Sequence, residues 1–152
     1  MPDETTSFDE LFDAELAQFM MKGGAATTTG VPGYLGIGFV DIGPGWVAAE
    51  MEVRDELLNP FGAMHGAGVA ALVDHVLGSA VFPLVPRGTW PATLEFKLNY
   101  LAPVRSGVVR AESRVVALRN RTAVVHVDVT NEDRIVATAL GTISLNPPKA
   151  AT

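Results

Sequence analysis

A single carboxylate, Asp74, lies in a stretch of the sequence that is otherwise almost entirely apolar. Between Gly66 and Phe82 the only other polar side chains are His75 and Ser79. Desolvating a charged group is expensive, so a buried acid is usually either paired or used in chemistry. His75 is a poor partner because adjacent helical positions point about 100° apart. We therefore expect Asp74 to be at least partly buried and to need a group from elsewhere in the fold.

Three small residues share the helical face of Asp74. Ala67, Ala71 and Gly78 stand at spacings that bring side chains to one side of a helix. Such a stripe lets another backbone or a ligand approach closely, but tight packing of the helix against a sheet produces the same pattern. The periodicity leaves both interpretations open.

The residues at the start of this helix suit an oxyanion. His65, Gly66, Ala67 and Gly68 would present free backbone amides and the positive end of the helix dipole. Gly66 and Asp74 lie eight residues apart, which is about 12 Å along a helix. One helix cannot bring both to the same carbonyl. Cooperation would require Asp74 from a second copy of the chain, related by a twofold axis.

Other chemistries have little support. The sequence has no cysteine, which excludes a thiol nucleophile, a zinc-thiolate site and a disulfide. His65, His75 and His126 lack metal-ligand spacing. No G-x-S-x-G motif, pair of carboxylates or phosphate-binding glycine fingerprint is present. We predict neither a metal nor a cofactor.

Charge is distributed unevenly along the 152 residues. Residues 1–75 hold 2 basic and 12 acidic side chains, whereas residues 76–152 hold 9 basic and 5 acidic ones. The C-terminal half could receive an anion, although most of its arginines fit an ordinary solvated strand surface. The net charge of −6 and the lack of a basic run argue against a nucleic-acid partner.

The distribution of apolar residues argues against a membrane protein. Residues 1–12 are acidic where a signal peptide is basic and then apolar, so we expect a soluble, cytoplasmic protein. The most apolar segment, 61–86, contains Asp74 and two histidines, which favours a buried core helix over a membrane span.

Hydrophobic periodicity and turn residues predict two helices and six strands. The first helix, about 7–22, begins with a capping box of Ser7 and Glu10 and ends at Gly23-Gly24. The second helix runs from about 66 to 82 and ends at Pro83. The predicted strands are 34–42, 46–53, 93–101, 108–117, 122–130 and 134–145.

The strands predict an antiparallel sheet with one apolar face, because the connections between them are short. Alternation at period two predicts the core-facing side chains of two strands. These are Leu94, Phe96, Leu98 and Tyr100 in one strand, and Ala123, Val125, Val127 and Val129 in the other. We predict a single α+β domain, residues 1–152 with its core at about 34–146, in which a curled six-stranded sheet wraps around the long helix.

In combination, these residues resemble a known family. The run of Asn59, Gly62, His65-Gly66 and Asp74, followed by TLEFKLNYLAPVRSG and VATALGTISL, is similar to the hotdog-fold thioesterases, in particular the PaaI-like acyl-CoA group. The similarity extends over residues 34–145 in the family's order. It implies a hotdog fold, homodimers that often pair into homotetramers, and hydrolysis of acyl-CoA thioesters without a metal or cofactor.

The resemblance also implies roles for individual residues. Gly66 matches the glycine whose amide polarises the thioester carbonyl, and Asn59 matches a loop residue that assists there. Asp74 matches the acid of the facing subunit, which activates water or attacks the carbonyl directly. Thr93 stands where a hydroxyl orients the water, and His65 matches a supporting histidine.

One position departs from the family's pattern. Ala67 replaces the second glycine of a His-Gly-Gly motif, and its methyl group affects the expected substrate size more than activity. Together with Gly62 and Gly78, Ala67 is expected to contact the substrate.

The loop arginines Arg105, Arg119 and Arg121 are the basic residues best placed to meet CoA phosphates. We expect an aromatic or medium-chain acyl group. The alternative is a non-catalytic hotdog module that binds acyl-CoA or another apolar ligand.

Overall fold

A computed structural model describes residues 7–23 and 29–148. In this part of the chain the α-helices are α1 Phe8–Leu11, α2 Ala14–Met21, α3 Gly30–Leu35 and α4 Gly66–Val81. The strands are β1 Gly38–Gly43, β2 Trp46–Glu52, β3 Trp90–Tyr100, β4 Val108–Leu118, β5 Thr122–Asn131 and β6 Arg134–Asn146. Short 3-10 turns cover Asp55–Leu57 and Phe82–Leu84.

The central helix α4 is the core of the fold, as predicted. Its side chains at Leu72, Val73, Val76 and Leu77 are fully buried. The helix packs against β2, β3, β4, β5 and β6. The stretch Gly66–Leu84 is long and apolar enough to cross a membrane, but half of it is buried within this fold. That degree of burial fits a core helix.

The sheet is antiparallel throughout, with the strand order β1-β2-β4-β5-β6-β3. The predicted inner face of β5 is confirmed, because Ala123, Val125, Val127 and Val129 are all at most 1% exposed. The segment between β3 and β4 crosses from one edge of the sheet to its middle, so these successive strands are not neighbours. The predicted α+β hotdog architecture is confirmed, with β1 and β3 as the two edges.

Two predictions about the strands are wrong. Residues 34–37 are not in a strand, because α3 continues to Leu35 and ends at Gly36, whose left-handed φ of 74° few other residues adopt. In β3 the pairing register shifts between Thr93 and Glu95, so a bulge interrupts the alternation at Leu94, which is 61% exposed. Tyr100 at the end of the predicted face is also exposed, at 56%.

The predicted N-terminal helix is interrupted. Ser7 and Glu10 form the expected capping box, but α1 ends at Leu11. Asp13 then caps α2, because its carboxylate accepts the amide hydrogen of Leu16 at 3.0 Å. The predicted stop at Gly23-Gly24 is met by Gly23, whose φ is 77°, whereas Gly24 lies outside the described residues.

Asp13 also fastens the N-terminal helices to the core. Its backbone amide donates to the carbonyl of Pro83 at 2.8 Å. Arg87 donates to both carboxylate oxygens of Asp13, at 2.6 and 3.0 Å, and to Glu15 at 3.0 Å. The hydrogen bond from Arg87 is the main reason that the pKa of Asp13 falls to about 2 from an ordinary 3.8.

This ion pair predicts that acid releases the two N-terminal helices. Because the pKa of Asp13 is lower in the folded protein, its contribution to stability is complete above about pH 4 and is lost as the pH falls towards 2. Hydrogen exchange of α1 and α2 should therefore accelerate in that window before the exchange of β4 and β5 does. Asp13→Asn keeps a good helix cap but removes the charge, so it should give the fast exchange already at pH 7. Asp9→Asn is the control and should exchange like the native protein; equal protection in Asp13→Asn would contradict the assignment.

Candidate active site

A groove of about 1460 Å³ follows the one face of α4 that the curled sheet leaves uncovered. Its floor includes Ala67, Ala71, Asp74 and Gly78. Strand β3 forms one bank, and α2 together with β1 forms the other. The groove exists because six strands close around most of the helix but leave a gap between the two edges of the sheet.

Asp74 lies exposed on the floor of this groove, so the prediction that it is buried is wrong for a single protomer. No hydrogen bond or ion pair joins its carboxylate to another residue of the described chain. The apolar surroundings in the sequence belong to the other faces of the helix. The sheet covers those faces, whereas Asp74 is on the face that it leaves open.

The small-residue stripe lies on the same open face. A methyl group added at Gly78 would meet no atom within 4 Å beyond its chain neighbours and the backbone of its own helix. The stripe therefore does not serve tight packing against the chain's own sheet, which decides between the two interpretations of the periodicity. Thr93 lies across the groove on β3, so the structure brings Asp74, Thr93, Ala67 and Gly78 to one cavity.

Gly66 and Asn59 line a second cavity, of about 410 Å³, on another side of the helix N-terminus. Tyr100 borders this cavity and donates its hydroxyl hydrogen to the carbonyl of Gly66 at 2.9 Å. A Cβ atom at Gly66 would lie only 2.9 Å from that hydroxyl, so a larger residue here would have to displace the Tyr100 side chain. Sequence reasoning missed this contact because Tyr100 could be read only as one member of an apolar face.

The backbone amides at the start of α4 are not equivalent. The Ala67 amide donates to Nδ1 of His65 at 3.0 Å, so the His65 side chain caps the helix. The Gly66 amide has no hydrogen-bond partner among the described residues. It is therefore the donor that remains free at the positive end of the helix dipole.

The loop before the helix is held by its own polar groups. Oδ1 of Asn59 accepts the amide hydrogens of Phe61 at 2.9 Å and Ala63 at 3.3 Å. Arg105 donates to the carbonyls of Phe61 and Gly62, at 3.1 Å each. Asn59 thus keeps its side-chain NH₂ group available at the cavity, while Arg105 and Gly62 help to shape the loop.

The three arginines predicted to meet phosphate do not lie together. Arg105 precedes β4, whereas Arg119 and Arg121 lie in the turn that follows it. The 11 residues of β4 span about 36 Å, so these groups are at opposite ends of the sheet. Arg121 has no hydrogen bond or ion pair from its side chain to another described residue.

His75, rather than Asp74, is the substantially buried polar group of the helix. Its ring stacks on Phe39 of β1, with the ring centres 5.0 Å apart, and its Nε2 is buried without a hydrogen-bond partner. Burial lowers the pKa of His75 below its ordinary 6.5, and the nearby charge of Asp74 offsets this only in part. The ring is therefore uncharged at neutral pH.

Comparison with known proteins assigns this arrangement to a class. Residues 61–138 match the family model of the thioesterase superfamily, so the chain belongs to that superfamily and is a thioester hydrolase with a hotdog fold. The matched region contains Gly66, Asp74 and Thr93. It begins after α1, α2 and α3, and ends within β6.

Individual relatives agree with that assignment. A protein of Haemophilus influenzae is 32% identical over 114 residues, which cover 74% of this chain and 82% of that protein. The human protein named acyl-coenzyme A thioesterase 13 is 31% identical over 97 residues, or 63% of this chain and 69% of the human one.

Solved structures share the architecture. A thioesterase from Haemophilus influenzae is 26% identical, with a TM-score of 0.76 and coverage of 95% of this chain and 98% of that one. The PaaI protein of Escherichia coli, from the phenylacetic acid degradation operon, has a TM-score of 0.73 at 21% identity and covers 86% of this chain and 91% of its own. This last similarity shows the fold alone.

The burial of His75 predicts a loss of stability in mild acid. Below about pH 6.5 His75 binds a proton more readily in the unfolded chain than in the folded one. Unfolding therefore becomes easier as the pH falls. His75→Phe keeps the ring stacking and removes the unpaired Nε2, which should raise the free energy of unfolding by roughly 1 kcal/mol at pH 7.5. Melting temperatures between pH 7.5 and 5.5 should fall less in this variant than in the native protein. His126→Gln on the outer sheet face serves as the control, and parallel curves for the native protein and His75→Phe would disprove the assignment.

Proposed function

We propose that this chain is a cytoplasmic acyl-CoA thioesterase that hydrolyses aromatic or medium-chain substrates at a site shared between two copies of the chain. One observation carries the proposal: an unpartnered carboxylate at Asp74 and an unpartnered amide at Gly66 lie on the same helix, about 12 Å apart. In a dimer with antiparallel α4 helices, Asp74 of the partner subunit would face the Gly66 amide. Two such sites would form, one on each side of the twofold axis.

Strand β3 is the edge that supports this dimer. It is 11 residues long, and the large apolar side chains Trp90 and Leu94 are 71% and 61% exposed along it. A long, unprotected edge strand readily pairs with another strand. Strand β1 is less suited, because it has 6 residues, a register shift between Phe39 and Asp41, and α2 beside it. Further pairing of dimers into a homotetramer is compatible with this arrangement.

The reaction needs only groups of the protein and a water molecule. The Asp74 carboxylate takes a proton from water, and the resulting hydroxide attacks the thioester carbon. The carbonyl oxygen becomes an oxyanion that accepts the Gly66 amide hydrogen. Collapse of this intermediate breaks the carbon–sulfur bond, and the CoA thiolate takes the proton held by Asp74, which restores the carboxylate as the free acid leaves.

Asp74 can also act as a nucleophile. In that case its carboxylate attacks the thioester carbon, CoA leaves, and water hydrolyses the mixed anhydride. Hydrolysis in ¹⁸O-labelled water under single-turnover conditions distinguishes the two routes. If water attacks the aspartyl carbonyl of the anhydride, the label stays in the Asp74 carboxylate and identifies the nucleophile, whereas a general base delivers the label only to the acid product.

The remaining residues of the site have supporting roles in this proposal. The free NH₂ group of Asn59 is a second donor near the carbonyl oxygen. Thr93 on the bank of β3 orients the water, and His65 holds the first turn of the helix. Gly62, Ala67 and Gly78 provide space for the substrate.

The phosphates of CoA would meet arginines from both subunits. An antiparallel dimer brings opposite ends of the two sheets together, so Arg105 of one protomer would approach the turn containing Arg119 and Arg121 of the other. Arg121 suits a phosphate because its guanidinium is not engaged within the described chain. Arg105 differs from Arg121, because its guanidinium also donates to the carbonyls of Phe61 and Gly62.

A non-catalytic module that binds acyl-CoA is the alternative function. The unpaired Asp74 carboxylate favours catalysis, since a module that only binds acyl groups has no use for a free acid in an otherwise apolar groove. Release of free thiol from a panel of acyl-CoA thioesters separates the two functions.

Neutralising Asp74 should abolish most turnover. Asp74→Asn keeps the shape of the side chain but removes its basicity, so kcat should fall by about 10²- to 10⁴-fold while the dimer persists. The melting temperature should be unchanged or higher, because the variant removes a charge from the proposed interface. The matched control is Asp128→Asn, which removes a half-exposed carboxylate on the outer face of the sheet. Near-native turnover in Asp74→Asn would refute the catalytic role.

Removing the Gly66 amide should have a similar effect and reveal which subunit supplies each group. Gly66→Pro deletes the donor at a position where helices tolerate proline, whereas Gly66→Ala adds the same Cβ contact with Tyr100 but retains the amide. We expect Gly66→Pro to lose about 10²-fold more activity than Gly66→Ala.

Mixed dimers then test the shared site. When Asp74→Asn and Gly66→Pro chains are co-expressed and pair at random, about half of the dimers are heterodimers, and each heterodimer has one intact site of two. The activity of the mixture should therefore return to about a quarter of the native value. No recovery in verified heterodimers would mean that both groups act within one protomer.

A further inference from the structure

The two banks of the groove differ in composition. The bank formed by β3 presents Thr93 together with Leu94 and Phe96. The opposite bank is built by Phe19 and Met20 of α2 and Phe39 of β1. Among the described residues of the two banks, only those of the first bank carry a hydroxyl for water, so the second is the better surface for an apolar group.

The α2 bank continues along the C-terminal half of the α4 floor. His75, Ser79 and Phe82 line the groove there. The His75 ring stacks on Phe39 and is uncharged at neutral pH, since burial lowers its pKa. This part of the groove is therefore an aromatic, neutral compartment that begins beside Asp74.

Helix α2 stands at a fixed place in this compartment. The hydrogen bond from the Asp13 amide to Pro83 and the ion pair of Asp13 with Arg87 fasten the start of α2 beside the C-terminal end of α4. Met20 is buried, whereas Phe19 is 61% exposed although it is a large apolar side chain. An apolar wall with an exposed phenylalanine facing a groove is the arrangement expected where a ligand completes the packing.

We infer that the α2 bank is the wall of the acyl compartment and that Phe19 is the residue that limits acyl length. This inference rests on the proposed function, because it takes the reacting carbonyl to lie beside Asp74. From Asp74 to Phe82 the floor of the groove rises about 12 Å along α4, a length that suits an acyl group of medium length or an aromatic acyl group. The wall is built from residues outside 61–138, which is the part of the chain that matches the superfamily model.

Two substitutions at Phe19 should change substrate preference in opposite directions. Phe19→Ala shortens the wall, so the ratio of kcat/KM for palmitoyl-CoA to that for octanoyl-CoA should rise about tenfold or more. Phe19→Trp extends the wall and should lower the ratio of kcat/KM for octanoyl-CoA to that for butyryl-CoA. Tyr34→Ala, which removes an aromatic side chain that is 75% exposed on α3 and does not line the groove, should leave both ratios unchanged. Unchanged ratios in both Phe19 variants would overturn the inference.

Binding measurements keep this test separate from the test of catalysis. Thioether analogues of the same acyl-CoA molecules cannot be hydrolysed, and their dissociation constants can be measured by calorimetry for every variant. If the native protein turns over no thioester but Phe19→Ala still binds the palmitoyl analogue about tenfold more tightly relative to the octanoyl one, the wall is correct and the proposed function fails. If turnover is present but the relative affinities do not shift, the proposed function stands and the wall is wrong. Failure of the native protein and both variants to bind any analogue would also overturn the inference.

Discussion

Covering the central helix α4 is the constraint on which the rest of this structure depends. Val73, Val76 and Leu77 are fully excluded from water, and burying a side chain of this kind contributes about 1.5–3 kcal/mol. A flat sheet could cover only one face of such a helix. A curled antiparallel sheet covers most of its circumference and leaves a single gap between its edges. The position of that gap decides which residues of the helix remain available for chemistry.

The gap between the two edges of the sheet lies over Asp74. Asp74 lies on the open face, where its charge remains hydrated in the protomer, and small residues on either side keep the approach clear. The same open face adjoins the unpaired edge of β3. Assembly and catalysis therefore use one surface in the proposed mechanism, because a second copy that covers the groove also brings its own Asp74 towards the Gly66 amide. That link gives a physical reason for a thioesterase of this fold to act as a dimer.

The two ends of helix α4 are stabilised by different interactions. At the helix N-terminus, Asn59 and Arg105 bind the backbone of the preceding loop, and Tyr100 binds the Gly66 carbonyl, so the free Gly66 amide is held by a rigid frame. At the other end, the Asp13–Arg87 ion pair fastens α2 beside the groove. The first set of contacts holds the part that activates the carbonyl, and the second holds the bank that we assign to the acyl group.

Local patterns in the sequence determined much of the fold. The apolar run of α4, the alternation of β5 and the capping box of Ser7 and Glu10 each reflect interactions within a few residues, so each is legible before the chain is folded. The acid at position 74 and the glycine at position 66 could be singled out for the same reason. Their separation along one helix already pointed to a second copy of the chain.

Other features depend on contacts between distant segments and were decided only by the tertiary structure. Whether Asp74 is buried depends on which face the sheet leaves open, and the sequence of the helix alone cannot specify that. The bulge at Leu94 depends on the register between β3 and β6, and Asp13 at the start of α2 pairs with Arg87, which is 74 residues away. The buried His75 ring and the Tyr100 contact with Gly66 likewise join segments far apart in the chain. Local periodicity records which side chains are apolar, but the partner of each side chain is set by how the whole chain closes around the helix.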